Sequence, residues 1–433
     1  MDIWTKLWQR SKIMFKSGFV AVLGLLLLIP TRLIQDLVTE RQSRQQDAIA
    51  EISSRWAGPQ TVTGPVIGIP YTETVAENNN TKEIKRWAYF LPGKLNIHAG
   101  IVPEKRYRGI YQVIVYTTEL QVKGTYDSLH VAELGIPADK LLWNEAAVFF
   151  DISDIQGLKE EMTLHIAGAD LDMVPAKFST EQFPNSLSAS LPASAANTHG
   201  PLEFSATVML KGSGNLLFVP VGKETKVEAA STWADPSFTG SYLPDLRSVK
   251  DSGFVADWKV LYLNRSYPQQ WKDGTRELGK AAFGVNLIVP VDSYQQTMRS
   301  VKYAILVILL TFTAFFLIEW IYARPIHFLQ YALAGVALCI FYTLLLSFSE
   351  YIGFGKAYLV SALATIGLLT WYVRSVLSGR MALFIAFLLT LLYGFIFTLI
   401  QLQDYALLMG SIGLFITLGV VMYFSRKIKW ETD

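Results

Sequence analysis

Five apolar runs fill the last third of the chain: Tyr303–Tyr322, Phe328–Phe348, Ala357–Val373, Met381–Gln401 and Tyr405–Phe424. Each approaches the roughly 20 mostly apolar residues that a helix needs to cross a hydrocarbon core of about 30 Å. Aromatic residues collect toward their ends, at Tyr303, Trp320, Tyr322, Trp371 and Tyr423, as they do at bilayer interfaces. One further apolar run, Ser17–Thr31, lies near the start. It is short for a span, but Lys16 and Arg32 can snorkel and lengthen it. The chain then continues as the charged, helix-favouring RLIQDLVTERQ with no small-residue cleavage site, which predicts an uncleaved signal anchor. The pattern predicts an α-helical membrane bundle of six transmembrane helices, one plus five.

The stretch between these runs has a different rhythm. Leu33–Trp56 is amphipathic and free of Gly and Pro, so the first helix is expected to continue out of the membrane and stop at Gly58–Pro59. Beyond it come short runs with turn residues between them: Arg86–Leu91, Ala146–Ile152, Met162–Ile166, Glu203–Leu210, Phe254–Leu263 and Ala282–Val289. In RYRGIYQVIVY, Tyr107, Tyr111, Val113 and Val115 alternate with period two over part of the run. A large β-rich, sandwich-like domain is the natural outcome. Gln182–Thr198, rich in Ser, Ala, Asn and Pro, reads as a linker or long loop that can divide two sub-domains near 182–198. The organisation expected is 1–16 N-terminus, 17–34 anchor, 35–57 extended helix, 58–300 β-rich domain, 301–424 bundle and 425–433 tail.

Charge adds orientation. Lys6, Arg10, Lys12 and Lys16 precede the first span, Arg324 follows the second, Arg374 and Arg380 separate the fourth and fifth, and Arg426, Lys427 and Lys429 follow the sixth. The short loops on the other side hold only Lys356. The positive-inside rule then puts both termini in the cytoplasm and the β-rich domain outside, in the periplasm of a bacterial inner membrane. Hydrophobic residues are 51% of the chain and charged residues 17%, values intermediate between a soluble domain and a membrane bundle. A net charge of +2 gives no reason to expect a nucleic-acid partner. The single cysteine, Cys339, lies inside an apolar run and reads as a small buried hydrophobe, so neither an intrachain disulfide nor a cysteine metal cluster is available.

The search for chemistry returns little. His98, His130, His165 and His199 stand on separate segments without metal-ligand spacing. Asp170 and Asp172 lack the glycine and distal glutamate of a calcium loop, and Gly212–Gly214 reads as a turn rather than a nucleophile elbow. No cofactor and no enzymatic activity are predicted. Two stretches stand out: Gly58–Tyr71, GPQTVTGPVIGIPY, and Trp233–Trp258, WADPSFTGSYLPDLRSVKDSGFVADW. Dense Gly, Pro and aromatic residues specify a fixed, irregular backbone, suited either to a binding surface or to a structural corner plugging a sandwich. Trp233, Pro236, Phe238, Tyr242, Pro65 and Pro70 are the candidate surface residues. In the membrane the polar candidates are Glu319, His327 and Glu350, all near span ends, where helix pairing or capping fits better than an ion relay.

These residues carry a resemblance. Gly58–Pro70, Trp233–Pro244 with Ser252–Trp258, Lys302–Glu319 and His327–Phe354 resemble the CreD (Cet) family of bacterial inner-membrane proteins. The resemblance covers nearly the whole chain, with Leu129–Ala196 and the last two spans matching mainly in pattern. It implies a member of the Cre two-component regulon associated with envelope integrity and stress response, colicin tolerance and altered β-lactam susceptibility. The family has no defined catalytic motif, so no active-site residue is carried over. The leading expectation is a non-enzymatic envelope protein whose outer domain binds an envelope component, or a periplasmic or inner-membrane protein partner, with the lipid bilayer around its bundle. The alternatives are a transporter or lipid-moving protein using the five-helix bundle, and a periplasmic wall- or lipid-acting enzyme.

Overall fold

The computed structural model describes residues 16, 18–77, 80–127, 129, 131–175, 177–184, 186–192, 200–287, 293–322, 326–376, 378–402 and 405–425. His130, His199, Arg324 and the charged ends of the chain lie outside them. The chain divides into two compact units, Met1–Gln45 with Val291–Asp433, and Gln46–Pro290.

In the first unit the apolar runs become helices. Helix α1 (Gly18–Trp56) is 39 residues long, stopping where Gly58–Pro59 removes both helical φ restriction and a backbone donor. A short helix, α2 (Ser293–Lys302), meets α3 (Ala304–Tyr322) at a bend of 40°. Then follow α4 (Phe328–Ile352), α5 (Phe354–Val376), α6 (Gly379–Gln401) and α7 (Ala406–Ser425). Among the described residues α1, α4, α5 and α6 are each long and apolar enough to cross a membrane, and α2 with α3 makes a fifth when the bent pair is one span. Helix α2 was not legible as a helix, because SYQQTMRSVK is polar. It folds because Tyr294, Thr297, Ser300 and Val301 share one buried face. The core of the unit gathers Phe312, Tyr331, Phe341, Tyr342, Leu345, Ile385, Leu389 and Tyr393.

The second unit is built of two sheets. One has nine strands: β1 (Gln60–Glu77), β2 (Asn80–Phe90), β5 (Ala147–Ile152), β8 (Val174–Pro175), β9 (Leu187–Ser190), β11 (Asn215–Phe218), β13 (Pro236–Gly240), β16 (Gln270–Lys272) and β17 (Phe283–Leu287). The other has eight: β3 (Lys94–Arg108), β4 (Tyr111–Tyr126), β6 (Thr163–Ile166), β7 (Ala169–Asp172), β10 (Leu202–Ser213), β12 (Glu224–Ser231), β14 (Leu246–Lys250) and β15 (Gly253–Leu261). Their orders are β13-β17-β11-β1-β5-β9-β8, with β2 beside β1 and β16 beside β2, and β14-β15-β12-β3-β4-β10-β6-β7. Most pairs are antiparallel, but β1 with β11 and β3 with β12 run parallel. The buried positions of both sheets join one hydrophobic cluster around Trp258, Phe149, Phe150, Phe218 and Phe283. Burying each such side chain stabilises by about 1.5–3 kcal/mol.

Three expectations need correcting. Gly58–Tyr71 is mainly extended: from Gln60 on it forms the start of the 18-residue β1, irregular at the register shift between Thr63 and Val66. Its prolines are tolerated because a strand ladder beside β1 is interrupted at each. Pairing with β11 ends at Val62 and pairing with β2 begins at Ile67, so Pro65 falls in the gap, at a register shift against β5. Pro70 lies beyond Gly68, the last residue paired with β5. The described part of Gln182–Thr198 is not a linker dividing two sub-domains, since Leu187–Ser190 is a strand between β5 and β8 inside one compact unit. RYRGIYQVIVY is two strands, joined where Gly109 adopts φ 60° in a tight hairpin turn between Arg108 and Tyr111.

Asp151 on β5, opposite Thr63 of β1, is a carboxyl that burial holds above the ordinary carboxylate range, and among the described residues no cation pairs with it. A carboxyl whose folded pKa is raised binds more protons folded than unfolded across that window. Stability is therefore highest below the ordinary carboxylate pKa and falls as pH rises through the raised one. Asp151→Asn should remove this slope and raise the Tm at neutral pH, with wild type and variant converging in acid. Thermal unfolding followed against pH by tryptophan fluorescence measures it, and parallel curves would refute the assignment.

Candidate functional site

The Pro/Gly/aromatic stretch after Trp233 runs from the edge of one sheet, β13, to the edge of the other, β14. Its aromatic residues pack inward from partly exposed positions. Phe238 lies edge-on to Phe254 and Trp258 at 5.8 and 5.7 Å, and Tyr242 edge-on to Phe283 at 5.7 Å. The Tyr242 hydroxyl donates to the Asn264 carbonyl at 2.7 Å, and the Trp258 indole N–H to the Tyr242 carbonyl at 3.3 Å. Trp233 donates to the Asp235 carbonyl at 3.0 Å and carries Lys105 over its ring. Pro236 pairs with Leu287. Pro65 and Pro70 are buried inside β1 and present no surface. Phe238 and Tyr242 thus pack onto the core between the edges of the two sheets, and the two β1 prolines lie apart from them.

An exposed polar surface is found elsewhere, on the outer face of the eight-stranded sheet. Strand alternation buries Leu95, Ile97, Val122, Leu164, Phe204 and Ala206 and turns their neighbours outward. Register then lines up Lys259, Lys226, Asn96, Lys123, Ser205, His165 and Asp170 in one row across seven strands. Glu224 sits 3.3 Å from both Lys226 and Lys259, and hydrogen bonds from these two lysines hold its carboxyl below the ordinary range. His98 meets Glu228 at 3.3 Å, and His165 Nδ1 meets Asp170 at 2.7 Å. At the β6–β7 end the face dips into an open depression lined by Lys123, Glu160, Glu161, Thr163, His165 and Asp170. Both charge signs, widely exposed, suit many weak contacts to a polar or zwitterionic ligand. Among the described residues no group of three His, Cys, Asp or Glu side chains is placed to hold a metal ion.

The membrane candidates divide by position. Glu319 pairs with Lys16 and accepts from the Tyr331 hydroxyl at 3.2 Å. Lys16 also donates to the Ile326 carbonyl at 2.7 Å. Glu350 accepts from the Tyr294 hydroxyl at 3.0 Å and lies 3.9 Å from Arg41. Lys16 and Arg41 are 25 residues apart, which along a helix at 1.5 Å per residue is about 37 Å, close to a bilayer with its headgroup layers. The two glutamates thus hold α1 to the bundle at two levels, at its start and near its middle. His327 caps α4: its ring accepts from the Leu329 N–H at 3.2 Å, while its backbone N–H donates to the Gln330 side-chain oxygen at 2.8 Å.

One charge in the β unit gave no signal in sequence. Arg265 is only 8% exposed and, among the described residues, has no carboxylate partner. Its guanidinium donates to the carbonyls of Tyr267 (3.0 Å), Pro268 (3.3 Å) and Val221 (3.5 Å) and to the Gln269 side-chain oxygen at 2.5 Å. It also lies 4.4 Å from the Tyr267 ring centroid. Burial pulls its pKa down from the usual arginine value. Gln269 in turn donates to the carbonyls of Leu91 and Pro92, so one side chain ties three connecting segments together.

Two comparisons place this architecture among known proteins. A family model described as inner membrane protein CreD matches residues 12–431. The chain is also 33% identical over 428 residues to the inner membrane protein CreD of Escherichia coli (strain K12), covering 97% of this chain and 94% of that protein. With apolar helices in one unit, two sheets in the other and both within the matched span, the chain belongs to the CreD family of inner membrane proteins.

Proposed function

We propose that this protein is a non-enzymatic envelope-integrity and stress-response protein whose β unit binds an envelope component or a protein partner in the periplasm. In this reading the bundle has six spans, the two sheets form a sandwich, and both termini are cytoplasmic. The sorted Lys and Arg residues support the orientation, and the α1 pairings agree with it. The start of α1 meets the end of α3 through Lys16–Glu319, and its later part meets the end of α4 through Arg41–Glu350, as alternating span directions require.

The observation that carries the reading is the outward row with its two-signed depression around Lys123, Glu160, Glu161 and His165. A deletion strain complemented with Lys123→Glu, Glu161→Lys and His165→Ala together should survive detergent, colicin and β-lactam stress no better than the deletion itself, at unchanged protein level. These side chains are exposed, so each substitution should shift stability by no more than about 0.5 kcal/mol. Wild-type survival with the triple variant would remove this face from the function. Complementation by residues 1–300 alone tests whether the bundle is needed beyond anchoring.

A further inference from the structure

The bundle contains buried hydroxyls that the protein itself does not satisfy. Tyr342, Tyr393 and Ser361 are at most 2% exposed, and none of their side-chain oxygens has a hydrogen-bond partner among the described residues. Other hydroxyls in the bundle show the ordinary solution. Thr311, Thr370, Thr390 and Thr398 donate to the carbonyl four residues back at 2.6–3.0 Å. Tyr358 donates to the Tyr393 carbonyl at 2.8 Å. The unsatisfied groups are gathered rather than scattered. The ring of Phe341 touches the rings of Tyr342, Tyr358 and Tyr393 at 4.8, 5.4 and 4.5 Å, and Ser361 lies one turn beyond Tyr358 on α5. Helix α2 packs against α4, α5 and α6 and brings two more such hydroxyls, on Thr297 and Ser300, each fully buried.

A dry hydroxyl in hydrocarbon surroundings is costly, and here several fall in one set of mutually packed helices. We propose that the interior of the α4–α5–α6 assembly is a binding site for an uncharged hydrogen-bonding guest held by Tyr342, Ser361 and Tyr393. The class follows from the donors: hydroxyls both give and accept hydrogen bonds and carry no charge, and the Tyr358 hydroxyl and the Cys339 thiol near them are uncharged as well. Ordered water and the polar part of a lipid share this chemistry. The site is independent of the sheet surface proposed above, since it belongs to the other unit.

The test exploits the opposite signs of an orphaned and an occupied hydroxyl. If Tyr342 and Tyr393 are empty-handed, the Tyr342→Phe/Tyr393→Phe protein is as stable as wild type or more so, because two desolvated hydroxyls are gone. If a guest occupies the site, the same protein loses the guest's bonds and its Tm falls by several degrees. Full-length protein is measured in lipid nanodiscs and in delipidated detergent, with Ser361→Ala alongside as a substitution small enough not to disturb folding. A fall in both media assigns the guest as water. A fall confined to nanodiscs, with a lipid adduct present on wild type and missing from the variant in native mass spectra, assigns it as lipid. Unchanged or raised Tm for both variants in both media overturns the proposal.

Discussion

Arg265→Met should lower the stability of the β unit by about 3 kcal/mol, a Tm drop of roughly 6–12 °C for a unit of this size. Two effects compete. Taking an unpaired guanidinium out of water is expensive, and an apolar side chain of similar length relieves that cost. Against it stand bonds to the carbonyls of Val221, Tyr267 and Pro268 and to Gln269. Hydrogen bonds to a charged group contribute about 1.5–3 kcal/mol each, and carbonyls left dry add their own desolvation penalty. These carbonyls belong to connecting segments around Pro220 and Pro268, where no neighbouring strand is available to take over. The bonds therefore win. Arg265→Lys should recover only part of the loss, because an ammonium cannot reproduce the planar fork. Thermal unfolding of the full-length protein in detergent decides it. A methionine variant as stable as wild type would mean that desolvation dominates and that Arg265 needs another reason to be there.

How much of this was readable beforehand depends on the range over which each feature is encoded. The apolar helices are local: a run such as Phe328–Phe348 carries its whole signal in consecutive residues, and α4 extends it by only four, to Ile352. Strand β1 was misread for an equally local reason. Its prolines look like strand breakers, and only the positions of β2, β5 and β11 show that each falls where a strand ladder beside β1 is interrupted. Ser186 and Ser188 look like linker residues, yet both are fully buried, with Ser188 beside Phe149 in the register of β9 with β5. The exposed row on the other sheet was out of reach altogether. Lys123, His165, Ser205 and Lys226 come from four strands far apart in sequence, and nothing short of the pairing registers aligns them. The aromatic stretch after Trp233 was legible as a segment apart, suited to a binding surface or to a structural corner. Trp233, Phe238 and Tyr242 are conspicuous in sequence because a sharp crossing from sheet to sheet needs rigid, bulky residues to seal it.

Lys16→Met should destabilise the membrane unit by about 2–3 kcal/mol, and adding Glu319→Gln should restore most of it. Removing one partner of a dry ion pair costs about 3–5 kcal/mol because the other charge is left without compensation. The figure is set lower here because Lys16 and Glu319 keep 17% and 16% of their side-chain exposure, enough for water to screen them partly. In Lys16→Met the Glu319 carboxylate retains, among the described residues, only the Tyr331 hydroxyl. In the double variant a neutral amide can still accept that bond, and no uncompensated charge remains. The cycle also separates two readings of the bundle. If Glu319 serves as a proton- or ion-carrying group for transport, Glu319→Gln abolishes activity at normal protein level and Lys16→Met cannot rescue it. If it fastens α1 to the bundle, survival under envelope stress follows stability: impaired in Lys16→Met and recovered in the double variant. Melting temperatures and survival measured on the four proteins of the cycle distinguish these patterns, and a double variant that is stable yet inactive would move the function into the membrane.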